Sequence, residues 1–115
     1  MIKTLTLIGF GEAGGILGQD LAAAGLEVFT YDRLHDDPKK QPALLEKGRR
    51  CGVTVCDSAA LALSRGEWVI SAVTADSALR VAQDAAPLML KGQLFIDINS
   101  VAPATKRVAE AVMAQ

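Results

Sequence analysis

Gly9, Gly11 and Gly14 fall within one short stretch, Gly9-Phe10-Gly11-Glu12-Ala13-Gly14. That spacing suits a pyrophosphate. A diphosphate anion needs backbone N–H groups at close range and the positive end of a helix, and side chains on the turn would block the approach. Gly9 lets the chain turn sharply out of a strand. Gly11 lets backbone and pyrophosphate come together, and Gly14 lets the next helix pack closely on the strand. The whole turn, Phe10, Glu12 and Ala13 included, is therefore a candidate cofactor cradle. Gly15 and Gly18 keep the following stretch thin as well.

Asp32 ends the next apolar run, where a carboxylate can accept both ribose hydroxyls of the adenosine half of NAD and repel the 2′-phosphate of NADP. Arg33 follows at once, and a guanidinium there can grip a 2′-phosphate through paired N–H groups. The two readings compete. The balance favours NAD over NADP, because a carboxylate facing a phosphate is costly at short range. Arg33 is otherwise a solvated loop charge, and His35 reads as an exposed loop residue.

The elements that must position these groups alternate along the chain. Residues 3–10 form a first strand through Leu5, Leu7 and Ile8, and 13–24 a helix with Leu17 and Leu21 on one face and Gly25 as its stop. Residues 26–31 form a second strand, and 36–41 a polar surface loop. A short helix covers 42–50 and a brief third strand 53–55. Asp57 or Ser58 caps a helix through residue 64 that Gly66 ends, and 67–73 is the fourth strand. Asp76 or Ser77 caps a helix to about residue 87, and 94–98 is the fifth strand. Pro103 opens a last helix holding Val108 and Val112. Strand–helix alternation with short loops predicts an α/β fold: a Rossmann-type doubly wound parallel sheet, order 3-2-1-4-5, with helices on both faces.

Composition bounds the rest. The 115 residues suffice for one dinucleotide-binding domain over 1–115. Half are hydrophobic and only 4% aromatic, so the core is built from Ala, Val, Leu and Ile. A net charge of −1 lacks the basic excess that nucleic acid demands. No apolar run has the length of a membrane span, and the start of the chain has no signal-peptide pattern, so the expected location is cytoplasmic. Cys51 and Cys56 read as reduced thiols rather than a secreted disulfide. With His35 the single histidine, no metal site is expected.

The segments Ile8-Gly9-Phe10-Gly11-Glu12-Ala13-Gly14 and Phe95-Ile96-Asp97-Ile98-Asn99-Ser100-Val101-Ala102-Pro103 resemble the β-hydroxyacid dehydrogenase superfamily, which contains 6-phosphogluconate and 3-hydroxyisobutyrate dehydrogenases. The resemblance spans the whole chain. It implies an N-terminal cofactor domain followed by a helical domain that completes the active site and makes a homodimer. Val73 and Thr74 would line the cofactor channel. Asn99 and Ser100 match an Asn-Ser near nicotinamide and substrate, although capping preference alone also suits them. Where many relatives carry a methionine before the third glycine, this chain has Glu12-Ala13.

The family's glycine-rich substrate loop and catalytic lysine would lie beyond Gln115, and neither Lys91 nor Lys106 matches that lysine's place. The expectation is an oxidoreductase moving hydride between a nicotinamide cofactor and a small 3-hydroxy acid, of which this chain is the cofactor part and is inactive alone. Its alternative is a binding module that holds or senses a dinucleotide without turnover. A downstream helical domain would separate the two. Prephenate and pyrroline-carboxylate reductases share the glycine turn.

Overall fold

The computed structural model describes residues 2–98. Its strands are β1 (Thr4–Ile8), β2 (Glu27–Tyr31), β3 (Thr54–Val55), β4 (Trp68–Ser71) and β5 (Leu94–Asp97). Its helices are α1 (Glu12–Ala23), α2 (Gln41–Cys51), α3 (Ala59–Arg65) and α4 (Ala78–Ala85). Every strand pairing is parallel, and the order is β3-β2-β1-β4-β5. This is the expected order. The strand sequence reverses direction at β1, so a crevice opens at the carboxyl ends of β1 and β4. The expected last helix lies outside the described residues.

Neighbouring residues of β1 show which helices cover which face. Leu7 points at α1: a Cβ added at Gly18 would sit 3.3 Å from Leu7 Cδ2. Thr6 points the other way, and its hydroxyl donates to the Ala62 carbonyl of α3 at 2.5 Å. Successive side chains of a strand alternate faces, so α1 and α3 lie on opposite sides of the sheet. One core joins Leu5, Leu7, Phe10, Val28, Leu44, Val53 and Ile70, with Leu17 and Leu21 of α1 packed against it. A second gathers Leu63, Val69 and Ala85, with Ile8 and Phe95. Buried on both sides, β1 has no solvent-facing polar alternation, as a parallel sheet requires.

Local chemistry sets the element ends. The Ser58 hydroxyl accepts the Leu61 N–H at 3.1 Å, which resolves the choice between Asp57 and Ser58 as the cap of α3. A Cβ at Gly66 would overlap the Thr6 backbone, so only glycine lets the chain pass β1 on its way into β4. The Gln93 side-chain amide donates to the Leu63 and Gly66 carbonyls (2.5 and 2.7 Å), closing the end of α3. Cys51 and Cys56 are free thiols, and burial pushes that of Cys56 up.

Two expectations need correction. Asp76 caps no helix: it lies in a single 3-10 turn, Ala75–Ser77, ahead of α4. Ser77 holds the cap position, but its hydroxyl takes a hydrogen bond from Thr74 Oγ1 (3.2 Å) instead of capping a backbone N–H. The stretch after β2 is also more ordered than a polar composition suggests. Residues Arg33–Asp36 form a 3-10 helix, because Asp32 caps it and the Tyr31 hydroxyl bonds Asp36.

Candidate cofactor site

The carboxyl ends of β1, β2 and β4 meet at a cleft of about 550 Å³. Gly9, Gly11, Asp32, Arg33, Val73 and Thr74 all line it. Phe10, Glu12, Ala13 and Gly14 do not; they reach this region through the backbone of the turn and the start of α1. Asn99 and Ser100 lie outside the described residues.

Each glycine of the turn has its own cause. Gly9 has a φ of +90°, a conformation L side chains rarely adopt, and its missing Cβ lets the turn press on Val73 Cγ1 and the Ala72 carbonyl at the end of β4. A Cβ at Gly14 would run into the Gly9 carbonyl oxygen, so this glycine allows α1 to start directly beneath the turn. Gly11 differs from both. A Cβ there would meet nothing within 4 Å. Packing does not require glycine at this position, and the space above it is open. Gly11 is also the N-cap of α1, so the first unpaired N–H groups of the helix open onto that space.

Asp32 is tied into the turn. Its Oδ2 accepts the Phe10 N–H at 3.1 Å and its Oδ1 the Leu34 N–H at 3.0 Å. The carboxylate thus joins the end of β2 to the glycine turn and caps the 3-10 helix that carries Arg33. The Phe10 side chain is buried, so this residue serves the turn through its backbone and the core through its ring. His35 is not an exposed loop residue. It is half-buried, its ring centroid lies 6.4 Å from that of Tyr31, and its carbonyl accepts from Gln41 Nε2. The Tyr31 phenol donates its one proton to Asp36 at 2.6 Å; that bond, with burial, pushes its pKa up to about 12, so it stays neutral at the edge of the cleft.

Sequence reasoning missed several groups. Tyr31, Ser77, Arg80 and Asp84 line the cleft, and Ala62, Leu63, Val81, Ala85 and Leu88 give it apolar walls from α3 and α4. Lys47 of α2, far along the chain, donates to the Phe10 and Gly11 carbonyls at 2.7 and 2.8 Å. The one sequence signal for Lys47 is Gly15, a helical glycine that the turn itself does not need.

The model of the NAD binding domain of 6-phosphogluconate dehydrogenase matches residues 4–115. The chain belongs to this family. A conserved hypothetical protein from Sinorhizobium meliloti is 33% identical and superposes with a TM-score of 0.93, covering 99% of this chain and 38% of that one. A conserved protein of unknown function, described as structurally similar to 3-hydroxyacid dehydrogenases, is 34% identical with a TM-score of 0.78, covering 96% and 39%. The 3-hydroxyisobutyrate dehydrogenase of Mycobacterium tuberculosis, solved with L-serine, shares the fold at 24% identity and a TM-score of 0.84, covering 99% and 37%. No curated protein sequence matches the chain. The chain spans under two fifths of the length of these solved structures.

The residues present suit the family's nicotinamide dinucleotide. Open space over Gly11, helix N–H groups facing it and a strand-end carboxylate beside it are the features a pyrophosphate and an adenosine ribose require. Among the described residues no helix is long and apolar enough to cross a membrane.

Proposed function

We propose that this chain is the cofactor domain of an NAD-dependent dehydrogenase acting on a small 3-hydroxy acid. The observation that carries this reading is the 3.1 Å bond from the Phe10 N–H to Asp32, which joins a phosphate-type turn and a ribose-type acceptor in one cleft. The N–H groups of Gly11, Glu12, Ala13 and Gly14 would receive the pyrophosphate, with Gly9 setting the turn. Asp32 would accept the ribose hydroxyls with the lone pairs left after its two backbone bonds, and repel a 2′-phosphate. Arg33, at the rim, is the group that would favour NADP. Val73 and Thr74 would line the path toward the nicotinamide, and Asn99 and Ser100 would meet the substrate. Bound there, the cofactor supplies hydride exchange.

The substrate class follows the 3-hydroxyacid dehydrogenases to which one solved relative, 34% identical, is likened. A second, helical domain outside this chain would bring the general base, close the site to water and pair two copies in the cytoplasm. The titratable residues lining the described cleft are Tyr31, Asp32, Arg33, Arg80 and Asp84. Tyr31 holds its proton too tightly to serve as a base near neutral pH, and Asp32 belongs to the adenosine end.

Calorimetric titration of the purified chain tests this. NAD should bind saturably and about tenfold or more tighter than NADP, a difference of about 1.4 kcal/mol. No 3-hydroxy acid should be turned over. Equal or tighter binding of NADP overturns the selectivity, lack of binding to either overturns the site, and steady reduction of NAD places a base within this chain.

A further inference from the structure

Gly15 and Lys47 remain unexplained by the turn alone. Gly15 lies on the buried side of α1 and has no left-handed backbone. A Cβ there would come 2.8 Å from Lys47 Cε and 3.0 Å from Lys47 Nζ. The glycine leaves a slot through which the lysine stem passes. At its end the ammonium donates to the Phe10 and Gly11 carbonyls and lies 4.7 Å from the centroid of the Phe10 ring. A lysine held by two carbonyls and an aromatic face has given up most of its freedom, and a solvated surface charge would not.

We propose that Lys47 is a positioning residue of the dinucleotide site, setting and polarising the two peptide groups whose N–H ends face the pyrophosphate; this rests on the function proposed above. The carbonyls it holds belong to the peptides Phe10–Gly11 and Gly11–Glu12. Both are trans, so the N–H of Gly11 and the N–H of Glu12 point away from the ammonium. That is toward the open side of the turn, where the Gly11 Cβ would meet nothing. The Gly11 carbonyl also accepts the Gly15 N–H at 2.8 Å, so Lys47 adds a charged donor to a helix bond already made. A cation on the oxygen end of a peptide draws electron density from its nitrogen and strengthens the N–H as a donor. Asp32 grips the Phe10 N–H at the opposite end. The turn is thus fixed from two sides and its remaining donors are left for the ligand.

The test uses Lys47→Met, Lys47→Arg and Gly15→Ala, with NAD and adenosine as probes. Adenosine carries no phosphate and reaches only the Asp32 end. Lys47→Met should weaken NAD about tenfold or more, from loss of charge-assisted bonds, and leave adenosine within about twofold. Lys47→Arg should recover most of the loss. Gly15→Ala displaces only the far end of the lysine side chain and no backbone, so the protein should stay folded and show the same selective loss of NAD. Combined with Lys47→Met it should add nothing further. Unchanged NAD affinity in Lys47→Met or Gly15→Ala, or a parallel fall for adenosine, overturns the proposal. If the parent binds no dinucleotide, the proposed function fails, and amide exchange then decides the role of Lys47. The Phe10 and Gly15 N–H should exchange faster in Lys47→Met, and unchanged exchange overturns the positioning role.

Discussion

Gly11 and Gly14 are the same residue type three positions apart, and the structure assigns them opposite sensitivities. At Gly11 the backbone has φ −78° and ψ −156°, which any residue adopts, and an added Cβ would touch nothing. Valine is a poorer N-cap than glycine, at a cost of about 0.5 kcal/mol. Restricting the unfolded chain returns about 0.4–1 kcal/mol, so Gly11→Val should leave stability nearly unchanged. Its side chain would occupy the open space proposed for the pyrophosphate. Loss of two N–H contacts to charged oxygens at about 1.5 kcal/mol each is about a hundredfold in NAD affinity. At Gly14 the added carbon meets the Gly9 carbonyl, backbone against backbone. Overpacking against backbone that cannot swing aside falls at the upper end of the usual range, about 3 kcal/mol. The better helix propensity of alanine offsets only about 1 kcal/mol of it. Gly14→Ala should therefore lower the melting temperature by about 4 °C or more at about 4 °C per kcal/mol. Calorimetric titration with NAD and thermal unfolding measure both variants. A Gly11→Val protein that binds NAD like the parent, or that melts as early as Gly14→Ala, would refute the assignment.

Asp32→Ala should shift the NAD-to-NADP affinity ratio toward NADP, with Arg33 free to engage the phosphate. It should also cost about 2–3 kcal/mol, since the Phe10 and Leu34 N–H groups lose a charged acceptor; an unchanged ratio in paired titrations contradicts the role of Asp32. Glu67 accepts the Lys3 and Thr4 N–H (2.7 and 3.1 Å), and these backbone bonds hold its carboxyl below the ordinary glutamate value of 4.5. A carboxyl lowered by folding contributes stability at neutral pH that is lost as pH falls through its folded value. Thermal melts from about pH 6 down to about pH 3 should fall more steeply in the parent than in Glu67→Gln, and matching slopes would contradict it.

The sheet order and the place of the crevice were legible because they follow from local signals: glycines after an apolar strand, β-branched runs and helix stops. The same signals located Asp32, whose position at the end of β2 depends on neighbours in sequence. What was not legible depends on residues far apart in the chain. Lys47 is a lysine on a helix whose other charged residues, Glu46, Arg49 and Arg50, are exposed, and nothing beside it marks it as held by Phe10. Gly66 looks like a helix stop, yet its glycine is required by contact with Thr6. His35 and Asp36 lie in a polar stretch, and the Tyr31 hydroxyl that orders them comes from the strand before. Asp76 failed as a cap because acidic type and position do not reveal that the chain makes a 3-10 turn first.

These long-range contacts join the pieces of the site into one unit. Asp32 Oδ2 holds the Phe10 N–H, and Lys47 holds the carbonyls on either side of Gly11. Asp32 Oδ1 caps the segment Arg33–Asp36, which leads into the helix that carries Lys47. The group proposed to choose the cofactor is therefore also a strut of the turn proposed to bind it. A short hydroxyl at position 32 could still cap the Leu34 N–H, as serine and threonine do at helix starts. It would not reach the Phe10 N–H as a carboxylate does. An asparagine could accept one of the two N–H groups but would point its own NH₂ at the other. On the proposed roles, relaxing the choice between NAD and NADP at this one position would loosen the pyrophosphate end as well. A change of cofactor would then need a second adjustment at the turn, and Gly15 and Lys47 are the residues placed to make it.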